Sequence, residues 1–122
     1  MTNKPQVLVS SPVPYAVLYP KLVKAARAKG YALAIHGSMV RDFDLIAVPW
    51  VEDAAEPLEL VFALKEVCTG VFISSRTDYL LSPDFDAREK PHGRLSWVLH
   101  LTEDGMYGPY LDIAVMPRIP KP

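Results

Sequence analysis

The spacing of apolar and polar positions changes several times along this 122-residue chain, and each change marks an element. From Arg94 to Thr102 the two kinds alternate. Leu95, Trp97, Leu99 and Leu101 fall on one side and Arg94, Ser96, Val98 and His100 on the other, the two-residue period of a half-buried strand. Glu103, Asp104 and Gly105 begin a turn, and residues 110–116 return as a second strand. In such an antiparallel hairpin Leu95, Trp97 and Leu99 share a core face with Leu111, Ile113 and Val115, which leaves Asp112 with Arg94, Ser96 and His100. Residues 31–36 read as another strand that ends at Gly37, and residues 42–48 as its neighbour. So few residues separate them that the pair is expected to be antiparallel, since a parallel crossover needs about a dozen residues or more.

Two stretches carry the helical period instead. Pro20 suits the first turn of a helix running to Lys29, with Leu22, Val23, Ala25 and Ala26 as its apolar stripe and Gly30 as its stop. A second helix is predicted from about Asp53 to Thr69 by Leu60, Val61, Leu64, Val67 and Cys68, with acids in its first turn, Pro57 near its beginning and Gly70 past its end. Residues 6–10 suggest a short strand before Pro12 and Pro14, and residues 71–73 another. Residues 74–93 read as a polar, proline-interrupted loop. The expected architecture is one α/β (α+β) domain over residues 1–122, with a mixed, mainly antiparallel sheet and helices largely on one face.

Composition narrows the function only by exclusion. Half of the residues are apolar and 22% are charged, and the net charge of -1 gives no general drive toward nucleic acid. No apolar run approaches a membrane span, and the first residues lack a secretory stretch, so a cytoplasmic protein is expected. Cys68 is the only cysteine, which rules out an internal disulfide and reads as a small core residue. His36, His92 and His100 lack zinc-binding spacing. Trp50 and Trp97 read as core anchors. There is no phosphate-cradling Gly-x-x-x-x-Gly-Lys loop, no nucleophile elbow and no dinucleotide fingerprint.

The chemistry lies around a glycine corner. Gly37 and Ser38 precede Asp42, Phe43, Asp44 and the apolar run Leu45 to Val48. Residues two apart on a strand share a face, so Asp42 and Asp44 present paired carboxylates, a donor set suited to a hard cation such as Mg2+. Asp112 interrupts a second apolar strand, where an ionised group costs several kcal/mol, depending on burial, unless it is paired or bound to metal. Arg41 suits either a phosphate or the neighbouring acids as its charge partner. Arg94 and His100 share the expected face of Asp112. Asp84, Phe85 and Asp86 repeat the acidic spacing, but no apolar strand follows them, and they read as a solvated turn.

These motifs, His36 to Val48 with Leu111 to Val115, resemble the DNA polymerase beta-like nucleotidyltransferase superfamily. The resemblance implies that Gly37 and Ser38 hold a nucleoside triphosphate and that Asp42 and Asp44 bind two Mg2+ or Mn2+ ions. It further implies that Asp112 helps bind the catalytic metal and activates an acceptor hydroxyl on a protein, nucleic acid or other molecule. Arg41 and Arg94 would join the nucleotide site. Only Met39, Val40 and Arg41 separate the corner from the acids, shorter than the family pattern and similar to small proteins encoded by phages and prophages. At this length a partner subunit, a bound macromolecule or the loop from Ser74 to Gly93 completes the substrate site, which leaves room for an oligomer. The rival expectations are a non-catalytic protein of this fold that binds a nucleotide or a protein, and a phage accessory protein whose acids meet a basic host surface.

Overall fold

Why the first helix forms is clear from one face of it. Tyr15, Leu18, Leu22 and Ala26 are all fully buried along one stripe of helix α1 (Val13–Ala28). The computed structural model describes residues 13–39, 42–71, 88–100 and 110–118, and of residues 13, 14, 42, 69, 70, 71 and 88 the backbone alone. Helix α1 starts seven residues before Pro20, which lies inside it rather than in its first turn. Proline has no N–H to donate to the carbonyl of Ala16. Burial of Tyr15 and Leu18 outweighs that loss, and Pro20 itself is exposed. The helix ends as expected, with Gly30 at φ +87° and its N–H donated to the Arg27 carbonyl at 2.9 Å.

Among the described residues five strands form one sheet: β1 (Tyr31–His36), β2 (Asp42–Pro49), β3 (Arg88–Lys90), β4 (Arg94–His100) and β5 (Tyr110–Val115). Their order is β1-β2-β5-β4-β3, with β2 and β5 parallel and every other pair antiparallel. The domain is α+β with a mixed, mainly antiparallel sheet. The β4–β5 register sets Leu95 against Val115, Trp97 against Ile113 and Leu99 against Leu111, the core face expected from the alternation. Residues 88–90 differ from the predicted loop. They add a short charged strand at the sheet edge, a composition that discourages further pairing there.

Helix α2 (Pro57–Val71) begins at Pro57 rather than Asp53 and includes Gly70 rather than ending before it. The delayed start has visible causes. The Ala55 N–H donates to the Lys29 carbonyl at 2.9 Å, the Tyr31 hydroxyl to the Ala55 carbonyl at 2.7 Å, and Arg118 to the Ala54 carbonyl at 3.3 Å, all of which hold residues 54–55 outside the helix. Val71 closes α2, so it is not part of a strand. Both helices pack on one sheet face, burying Leu60, Val61, Leu64 and Cys68 of α2 with Phe43, Leu45, Ile113 and Trp97. Trp97 is a core anchor, whereas Trp50 is not: it is 78% exposed just past the end of β2. The proposed strand at residues 6–10, Phe72 and Ile73, the second acidic pair at Asp84 and Asp86, and the turn at Glu103 to Gly105 lie outside the described residues.

Candidate functional site

Phe43 fixes which way the acids face. Its ring stacks on Tyr15 at 4.9 Å between centroids and meets Tyr19 edge-on at 6.1 Å, so this position of β2 is locked against α1. Strand alternation then turns positions 42 and 44 to the opposite face, away from both described helices. Across the parallel pair Asp44 lies in register with Asp112, and position 42 with Tyr110. Neighbouring strands are about 4.8 Å apart, so the Asp44 and Asp112 backbones are immediate neighbours on one face. On the other side of β2, Asp44 is in register with His36. The row His36, Asp44, Asp112 and Val98 thus crosses four strands, with Tyr110 and His100 paired in the row beyond.

The glycine corner touches this row. Gly37 has φ +87°, and a Cβ placed there would lie 2.6 Å from Asp44 Oδ2. The carboxylate occupies space that any other residue at 37 would fill. Met39 also takes a positive φ, 63°, in a region unfavourable for side-chain-bearing residues, and its side chain packs against the core. Core contact at Met39 and close approach at Gly37 together pin the bend beside Asp44. Ser38, between them, is exposed.

One predicted site residue, Arg41, lies outside the described residues, and another, Arg94, stands away from the acids. Arg94 shares the sheet face with Asp112, as the alternation implies. It is, however, four positions along β4 from Val98, the partner of Asp112, about 13 Å at strand rise. Its Nε donates to the Pro91 carbonyl at 3.1 Å within its own hairpin. The structure brings together Gly37, Asp44 and Asp112 and leaves Arg94 apart from them.

Oxygen donors from Asp44 and Asp112 suit a hard divalent ion, and like charges directly opposite on paired strands repel in its absence. Among the described residues no group of three His, Cys, Asp or Glu side chains is arranged to hold a metal; the Asp42 side chain is not among those described. Close by, His100 Nδ1 is buried without a hydrogen-bond partner among the described residues, and its ring sits 5.9 Å from that of Tyr110. The rest of this face is not uniformly open, since Ser96 and Ala114 are buried on it. Cys68 takes no part: it is buried on the core side of α2, and burial pushes its thiol up to about 12.

Sequence reasoning put Asp44 and Asp112 together but did not foresee their neighbours. His36 reads in sequence as a strand terminus, and only the register of a very tight bend sets it opposite Asp44. Tyr110 enters through the parallel pairing of β2 with β5, which no local pattern announces. No helix among the described residues is long and apolar enough to cross a membrane. The chain matches no protein-family model and no curated protein.

Proposed function

We propose that this protein is a metal-dependent nucleotidyltransferase that moves a nucleoside monophosphate from a nucleoside triphosphate to an acceptor hydroxyl, as a compact phage- or prophage-type enzyme acting in the cytoplasm. The observation that carries the reading is the register of Asp44 with Asp112 on adjacent parallel strands, with the Gly37 bend against the Asp44 carboxylate. Asp44, Asp112 and Asp42 would hold Mg2+ or Mn2+. When bound, the metal supplies positive charge that offsets the charge developing on the phosphates.

The chain's own groups account for the remainder. The positive-φ positions Gly37 and Met39 make the bend the kind of turn at which main-chain amides would meet phosphate oxygens. Arg41 adds a cation for the same phosphates. Asp112 is suited to accept the proton of the acceptor hydroxyl, because its half-buried carboxylate stands beside Asp44 at the edge of the bend. Proton removal makes the acceptor oxygen the nucleophile; the new bond forms to the α-phosphorus, and pyrophosphate departs.

A second reading, a non-catalytic domain that binds a nucleotide or a protein, is motivated by the short link of Met39, Val40 and Arg41 between the glycine corner and the acids. One experiment separates the two. The full chain is incubated with α-labelled nucleoside triphosphates, Mg2+ or Mn2+, and protein and RNA acceptors. Label transfer that Asp44→Asn and Asp112→Asn both abolish is expected. Metal-dependent nucleotide binding without transfer favours the second reading, and neither binding nor transfer removes the first.

A further inference from the structure

The two helices carry opposite charge on the side turned away from the sheet. Helix α1 contains no acid, and Lys21, Lys24 and Ala28, spaced by three and four residues, form an exposed row along it. Helix α2 repeats the spacing in Glu59, Phe62 and Glu66, all exposed, with the ring between the two acids. A shallow groove runs between the rows, with Ala25, Ala28 and Lys29 on the α1 side and Glu59, Phe62, Ala63 and Glu66 on the α2 side. The bond from the Ala55 N–H to the Lys29 carbonyl fixes the start of α2 beside the end of α1, which sets the rows side by side. Apolar surface lies among the charges: Phe62 is 46% exposed and Leu58 45%. Lys65, the one cation in the sequence of α2, stands 5.9 Å from the Phe62 ring centroid and outside the groove lining, so the acids are the α2 charges that flank the groove.

We propose that this face binds a second copy of the chain through a two-fold axis that lies along the groove, in the plane of the interface. About such an axis α1 of each copy lies over α2 of the other, so the lysine row meets the glutamate row twice and each contact is repeated by symmetry. A two-fold axis across the helices would instead set α1 on α1 and α2 on α2, which juxtaposes like charges and is disfavoured. The same pattern identifies the occupant. A partner of one charge sign complements one row and opposes the other, whereas a copy of this face complements both. Phe62 of each copy then falls over Ala25 and Ala28 of the other, where small side chains leave room for a ring.

Size sets the strength of the dimer. From the helical rise the two helices are about 22–24 Å long, and side by side they are about 20 Å wide, which gives about 450 Å² per copy. That is the small end of specific interfaces, so the dimer is weak, forms at high concentration and draws its selectivity from charge. Both helices lie on the sheet face away from Asp44, so the carboxylate rows of both copies stay accessible and the inference does not depend on the proposed chemistry.

The test is analytical sedimentation of the full-length chain and its charge-reversed variants over about 1 μM to 1 mM. A monomer–dimer equilibrium that weakens as salt is raised is expected. Lys24→Glu and Glu66→Lys, two exposed positions whose replacement leaves the core untouched, should each weaken self-association by about tenfold or more, because each sets like charges against one another. Mixing the two variants should restore association, since both contacts of the mixed dimer then join opposite charges, an exchange that general unfolding cannot mimic. A chain carrying both reversals should dimerise with itself and not with the parent. A chain that stays monomeric over the whole range, self-association indifferent to either reversal, or single variants that fail to associate when mixed would each overturn the proposal.

Discussion

Replacing Gly37 by alanine tests the link between the bend and the acids. Two costs are expected. A residue with a Cβ at φ +87° loses about 1–2 kcal/mol by steric conflict with its own backbone. The new methyl would also lie 2.6 Å from Asp44 Oδ2 and has to displace it beyond ordinary contact, 3.4 Å or more. The carboxylate is the far end of a side chain and is able to rotate, which holds this part to about 0.5–1.5 kcal/mol for a non-ideal rotamer. The sum, about 1.5–3.5 kcal/mol, lowers Tm by about 5–20 °C in a domain of this size. A double-mutant cycle with Asp44→Ala isolates the contact: by urea unfolding, Gly37→Ala should cost about 1 kcal/mol less when Asp44 is already alanine. Equal costs in both backgrounds would refute the close approach of Gly37 and Asp44. A loss below about 0.5 kcal/mol in the parent would refute the left-handed geometry of the bend as well.

Other expectations follow from single residues. Asp112→Asn removes one of two carboxylates in register across the parallel pair; it should stabilise the metal-free protein by about 0.2–1 kcal/mol in thermal melts and abolish any rise in Tm given by Mg2+ or Mn2+. Pro20→Ala restores a helix donor at an exposed interior position of α1 and should stabilise by about 1–3 kcal/mol, read as a shift in the urea midpoint. The Cys68 thiol is raised from 9.0 to about 12 by burial, so the folded form keeps its proton where the unfolded chain releases it. Its contribution is therefore complete below pH 9 and declines as pH rises toward 12, by at most about 1.4 kcal/mol per pH unit, a slope that Cys68→Ala should lessen. Tyr31, raised by burial and by Glu56 against the opposing effect of Arg118, acts in the same direction, and Tyr31→Phe should lessen the alkaline slope further.

Where a signal was local, it was readable. The alternation around Trp97 specified both the core face of β4 and its register with β5, because a one-residue slip would bury Ser96 and His100 in place of Trp97 and Leu99 on the helix side. The acids were readable for the same reason: carboxylates in apolar strands contradict the pattern around them. Where tertiary contacts decided the outcome, the sequence misled. Pro20 looks like a beginning, yet the stacking of Tyr15 on Phe43 carries α1 through it. Trp50 looks like a core residue, but its N–H bond to Gly30 holds it just past the end of β2, where it is exposed. Arg94 illustrates a different limit. Parity gave its face correctly, while distance along the strand, which depends on register, separates it from Asp112.

The last described strand, β5, is also the middle one. Until it inserts, β2 and β4 each present a bare edge, and the halves of the sheet have no shared partner to join them. A ribosome-bound chain that has emerged only as far as β4 therefore holds two sticky ribbons that cannot yet unite. Assembly of the sheet and of its carboxylate row must await synthesis of β5, so a premature stop before it yields an aggregation-prone fragment rather than a smaller working domain.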